Sequence, residues 1–325
     1  MLKQATFSPL EFASMIAAEE QCSNAVMPHH ISSRIRSEIE QLVAPAAQRL
    51  ALSRTVGDVG PENIASAVAT TLFGSNSPDD AESAEGFFKP MASDPFSMPA
   101  ASVDQYYDAS NTFLDSVLQR RRGNGVSVSL IASEACSQLG LPMVGLASPA
   151  GLLLAPAEAT DQPLVLDCYS GCGVMDEARA AKFLAAELGP GMAAGADEEK
   201  LLEYGRARLR ALRATPLTAL QWGASMLRSL RDVHEEEEDV VRLLGVCDRL
   251  RLLGAHSNLA VSEDEMREYA GQVALCIYQL RWKQRRNEAR AILRQLARFS
   301  DETPGANIER VRVDELLSKP WFEEE

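Results

Sequence analysis

Basic residues are scarce in this chain relative to acidic ones: 32 Lys and Arg stand against 46 Asp and Glu over 325 residues, a formal net charge of −14. A protein that binds a polyanion needs the opposite balance, so nucleic acid is not an expected partner. Uninterrupted apolar runs are also missing. The longest such stretch, 139–156, is broken by Gly, Pro and Ser, short of the ~18 clean residues that a membrane span requires. The first ten residues hold one base and no apolar run, a pattern unlike a secretory signal or an Arg-rich transit peptide. Histidine is limited to His29, His30, His234 and His256, and cysteine to Cys22, Cys136, Cys168, Cys172, Cys247 and Cys276. Cysteines scattered in this way read as reduced thiols and, with the acidic composition, predict a cytoplasmic protein. Cys168-x-x-x-Cys172 lacks the second ligand pair of a structural zinc site, and adjacent histidines on a helix do not share a face. No metal and no cofactor are expected.

Helical pattern is what the sequence has in abundance. Residues 1–73 read as an N-terminal helical cap: Phe12, Met15 and Ile16, then Ile31, Ile35, Ile39 and Leu42, recur at helix spacing, and Pro61 to Phe73 forms a third segment. Ser8-Pro9 with Glu11 is a helix start. Residues 74–103, rich in Ser, Asp, Pro and Ala, read as a flexible insertion. Residues 104–178 mix periods: a short helix through Phe113, Leu114, Val117 and Leu118, a buried helix from Ser127 to Leu139, then short apolar runs at 143–146, 151–154 and 164–166 that read as strands. Residues 179–300 carry successive helical stripes, among them one through Val240, Val241, Leu243, Leu244 and Leu252, and a capping box at Ser262 to Glu265. This is a tetratricopeptide-like array of hairpins, though without a clean 34-residue repeat. Residues 301–325 read as a docking segment that packs Trp321 onto the body, whereas Trp222 and Trp282 read as packing residues within helices.

Two runs are more specific. Tyr106-Tyr-Asp-Ala-Ser-Asn111-Thr-Phe-Leu114 continues through Val117, Leu118 and Arg122-Gly123, and Ser127-Val-Ser129-Leu leads to Leu139-Gly-Leu-Pro142. Together they resemble the SirB-type transglutaminase-like family, whose landmarks also match Ile16-Ala-Ala-Glu-Glu20 and Leu72-Phe-Gly74. The resemblance implies a mostly helical α+β fold: a transglutaminase/papain-like core between an N-terminal helical cap and a C-terminal helical-hairpin region. In that superfamily a cysteine opens the core helix, where the helix dipole and a histidine stabilise the thiolate. Here the aligned position is Ser129, the histidine position is Gly151, and the orienting acid is Asp167. The resemblance therefore implies a degenerate triad. A serine hydroxyl with no adjacent base is a very poor nucleophile, and an acid with no imidazole has nothing to orient. Strand alternation sends Cys168 to the side of the sheet opposite Asp167, and Cys136 lies two turns beyond Ser129, roughly 10 Å along the helix. Neither restores the triad.

The function expected is a non-catalytic scaffold or regulator that holds a protein partner. Two alternatives stay open: a residual hydrolase or acyl-transferase using Ser129, Asp167 and a base from elsewhere in the chain, and an anionic-ligand module at Arg121 and Arg122. Against the latter, the arginines at 120–122 can cap their helix and pair with Asp108 or Asp115. A basic stretch at 281–298, with Arg285, Arg286 and Arg290 at its centre, is the candidate partner-binding strip.

Overall fold

The computed structural model describes residues 7–20, 28–54, 59–74, 87–88, 107–148, 151–158, 163–168, 173–188, 197–257, 260–302 and 313–323. These residues form a mostly helical α+β protein with one four-stranded antiparallel sheet. The chain divides into two compact units, Met1–Gly223 and Ala224–Glu325. Most of the insertion at 74–103 lies outside the described residues, as do Cys22 and Cys172.

The first unit opens with α1 (Pro9–Glu20), α2 (Pro28–Arg54) and α3 (Pro61–Phe73). A capping box starts α1: the Glu11 amide donates to Ser8 Oγ at 3.3 Å, and the Glu11 carboxylate accepts from the Ser8 amide at 2.9 Å. Ile31, Ile35, Ile39 and Val43 recur along α2 and are all buried, as helix periodicity requires of a core-facing stripe. Then come α4 (Leu114–Arg120) and α5 (Gly125–Gln138). Gly140, at φ +90°, ends α5, and the Leu141 amide donates back to the Cys136 carbonyl at 2.9 Å.

The strands β1 (Met143–Ser148), β2 (Gly151–Pro156), β3 (Val165–Asp167) and β4 (Gly173–Met175) follow one another in the sheet as they do in the chain. Sequence pattern predicts the first three and misses β4, whose Gly-Val-Met offers no apolar run of three. The register pairs Leu153 with Asp167 and Leu154 with Leu166. Directly opposed residues of an antiparallel pair share a face, and successive residues alternate. Leu146, Leu153, Ala155, Val165 and Met175 accordingly form one buried layer with Ala180, Leu184, Leu209 and Leu212. The last four come from α6 (Glu177–Ala185) and α7 (Glu198–Ala214). Sequence reading places these helices in a separate region from 179 onward. Their apolar stripes close the sheet instead, which makes them part of the first unit.

Close approach holds α6 and α7 together. Gly205 of α7 lies where a Cβ would run into the Ala181 carbonyl of α6, so only glycine lets the two backbones meet. On β1, a Cβ at Gly145 would come within 2.6 Å of the Trp222 ring. Trp222 is buried in this packing.

The second unit is built from α8 (Ala219–Glu236), whose first residues belong to the first unit, α9 (Val240–His256), α10 (Glu263–Gln279) and α11 (Arg286–Glu302). The Ser262 capping box opens α10, with the Glu265 amide on Ser262 Oγ and the Ser262 amide on the Glu265 carboxylate. Four side-chain pairs have a constant spacing: Arg228 with Glu265 at 2.7 Å, Arg231 with Glu268 at 2.8 Å, Glu235 with Gln272 at 3.1 Å and Asp248 with Arg285 at 2.6 Å are each 37 residues apart. A fixed offset along both helices means that α10 runs parallel to α8, one hairpin behind it in the chain. Two expectations fail in this unit. Val241 and Leu252 are 64% and 61% exposed, and Trp282 lies in the α10–α11 turn, 43% exposed. Val241 and Trp282 sit beside an element terminus, where the stripe loses its neighbour.

Candidate functional site

The start of α5 is where a nucleophile would stand. Asn124 is the N-cap: its Oδ1 accepts from the Ser127 amide at 2.9 Å, and its Nδ2 donates to Thr112 Oγ1 at 2.9 Å. Ser127 Oγ donates to the Asn111 carbonyl at 2.7 Å. Gly123 is obligatory there, because a Cβ would come within 2.6 Å of Ser127 Oγ and 2.7 Å of Val117 Cγ1. The residues that carry the sequence resemblance thus spend their polar groups on fixing how α4 hands over to α5. Ser129 follows the cap by a full turn, inside the helix and completely buried. It is not the helix-opening residue that the resemblance implies, since Asn124 starts the helix one turn earlier.

The sheet register decides what Ser129 meets. Asp167 stands opposite Leu153, on the layer that α6 and α7 cover, whereas Cys168 lies on the reverse face. That reverse face looks toward α5: Ser129 contacts the Cys168 thiol. Burial pushes Cys168 well above the ordinary thiol range, the Ser129 contact lowers it in part, and nearby Cys136 and Asp167 raise it further. Cys136, also buried, is pushed up to about 12 by desolvation. Among the described residues Ser129 Oγ has no hydrogen bond of regular geometry. Both thiols are therefore protonated at neutral pH, and among the described residues no group is hydrogen-bonded to the serine to activate it. Cys168 is the residue whose place at this site sequence reasoning misses; alternation shows that it opposes Asp167 without telling which of the two faces α5.

Gly151 begins β2 opposite Ser148, whose Oγ donates to the Gly151 carbonyl at 2.9 Å. Its φ of +134° is a conformation that side chains resist. His30 is exposed on α2, and the side chain of His29 lies outside the described residues.

At the arginine turn, Arg120 pairs with Asp108 at 2.6 Å and Asp115 with Arg34 at 3.1 Å. Arg121 takes the left-handed conformation, φ +56°, that ends α4, and its guanidinium lies 5.1 Å from the centre of the Phe87 ring. Arg122 is half-buried with contacts of its own. The neighbouring Phe88 is buried and its amide donates to the Leu72 carbonyl at 2.8 Å.

In the basic strip, Arg285 is held by Asp248 at 2.6 Å and by Glu288 at 2.7 Å. These hydrogen bonds raise the guanidinium's pKa and lower that of Glu288. Arg286 donates to the Trp321 carbonyl at 3.3 Å. Arg290 is half-buried and has no ion pair among the described residues. Trp321 itself is buried against Tyr278. Among the described residues no group of three or more His, Cys, Asp or Glu is arranged to hold a metal, and no helix is long and apolar enough to cross a membrane.

Comparison with known proteins bears on the same segment. Residues 99–209 match the model of the transglutaminase-like superfamily, a range that takes in α4, α5, the sheet, α6 and most of α7. The UPF0162 proteins of Xylella fastidiosa strains Temecula1 and 9a5c are each 37% identical over 73 residues, 22% of this chain and 26% of theirs. The UPF0162 protein of Vibrio cholerae is 34% identical over 68 residues, 21% of this chain and 25% of its own. The chain thus spans about a quarter of the length of these curated relatives. No solved structure matches.

Proposed function

We propose that the transglutaminase-like domain at 99–209 is catalytically silent, of the SirB type, and that the protein is a cytoplasmic scaffold or regulator that holds a protein partner. The observation that carries this reading is the separation at the core: Ser129 is enclosed beside a protonated Cys168, while Asp167 belongs to the opposite face of the sheet. An acyl-transfer centre needs nucleophile, base and orienting acid on one side of the sheet, in hydrogen-bond sequence. Glycine at 151, with its positive φ, supplies no base and resists acquiring one. The second unit supports the scaffold half of the proposal, because stacked tetratricopeptide-like hairpins offer extended faces for a partner.

The test is enzymatic. The folded protein is incubated with amine and glutamine donors, with ester substrates and with thiol- and serine-directed covalent probes. The expected result is no turnover, and labelling of Ser129 and Cys168 only after denaturation. Turnover that disappears in Ser129→Ala or Cys168→Ala overturns the proposal and restores the enzyme reading.

A further inference from the structure

Residues 320–323 form a short turn of helix whose Trp321 and Phe322 are buried. Both rings lie on Tyr278 of α10: Phe322 stacks on it at 5.5 Å and 16°, and Trp321 meets it edge-on at 5.7 Å. Tyr278 also receives the Arg281 guanidinium at 4.4 Å from its ring centre, and Arg286 reaches the same segment through the Trp321 carbonyl and the face of the indole. In sequence the two rings are followed by Glu323, Glu324 and Glu325. Two aromatic rings therefore rest on a surface made of one tyrosine and two arginines, and acids follow them in the sequence.

The fit is incomplete. Trp321 Nε1 is buried without an acceptor among the described residues, so the indole gives up its hydration and gains nothing for it. Arg286 donates to the Trp321 carbonyl at 3.3 Å, long for its type. Next to Arg281 the surface continues into an open depression of about 490 Å³ lined by Val241, Leu280, Trp282 and Lys283. Val241 and Trp282 keep much of their apolar area exposed there.

We propose that the Pro320–Glu323 segment is an internal pseudo-ligand, and that the partner of the second unit is a protein segment bearing adjacent aromatic residues followed by acidic ones, which binds Tyr278, Arg281 and Arg286 by displacing it. Such a partner gains the depression beside Trp282. This deepens the scaffold reading and rests on it, but it is tested by binding and not by catalysis, so the groove can fail while the silent core stands.

The probe is a fluorescent peptide of residues 313–325 added to the full chain, wild type and the Trp321→Ala/Phe322→Ala double variant. Wild type should bind poorly because its own segment competes at high effective concentration; the double variant should bind about tenfold or more tightly than wild type. Binding to the double variant should fall when Arg286→Glu is added, and also when the peptide's last three glutamates, Glu323, Glu324 and Glu325, are replaced by glutamine. Equal binding by wild type and double variant, or indifference to Arg286→Glu, overturns the proposal. So does loss of cooperative unfolding in the double variant, which would make the segment a part of the core. A wild-type dimer that disappears in the double variant would assign the surface to a second copy of the chain, and would equally overturn it.

Discussion

The two units bury their cores in the same manner but secure them differently. In the first, the basic partners of the described ion pairs are well exposed, from 36% at Arg120 to 62% at Lys182, and order comes mainly from the β1–β4 ladder, the Asn124 cap and glycines that let backbones touch. In the second, half-buried arginines tie one helix to another, with Arg231 and Arg285 only 19% and 22% exposed. Exposed pairs contribute little, whereas partly enclosed, bidentate ones are stronger and depend on ionisation. The first unit is therefore sensitive to shape and the second to charge.

The sharpest way to break this contrast is steric. Gly205→Val forces a side chain into the Ala181 carbonyl, and should destabilise the first unit by about 3 kcal/mol or more while leaving amide exchange in α9–α11 unchanged. Equal loss of protection in both units would show that they unfold together.

Acid should do the reverse. Burial raises the Glu265 pKa, but the Arg228 hydrogen bond and the Ser262 amide outweigh it and hold the carboxyl at about 2. Glu288 is lowered as well, chiefly by its bond to Arg285. A carboxyl depressed in the folded state stabilises above its unfolded pKa, about 4.3, and that contribution drains away as pH falls toward the folded value. Between pH 5 and 2 the second unit should thus lose exchange protection first. Earlier loss in the α5–sheet region would contradict the assignment.

A smaller effect tests the cap: Asn124→Ala should cost about 1 kcal/mol, read as a lower denaturation midpoint with an unchanged slope. Smallest of all is screening. Raising salt from 0.1 to about 1 M should weaken the second unit by less than about 1 kcal/mol and the first by less still, measured by exchange in each.

Much of this was legible in the residues. The stripe at Ile31, Ile35 and Ile39, the Ser262 box and the Gly140 stop lie in local patterns, and local patterns are what a sequence displays. The site was legible in part. Ser129, Gly151 and Asp167 could be located, but which face of the sheet looks toward α5 depends on α6 and α7 packing behind it, a relation between distant segments. Arg285 shows the same limit: a basic run looks like a free strip until its carboxylates arrive from α9 and from its own helix. Trp282 was misjudged because helix periodicity says nothing of where the next turn leaves a ring uncovered.

The constant spacing of 37 between paired side chains on successive hairpins makes the second unit modular. A duplicated block of that length would bring its own complement of arginines and carboxylates and meet its predecessor in register, so the array should lengthen by insertion where a closed core could not. The rings of Trp321 and Phe322 cover Tyr278 on the last hairpin described.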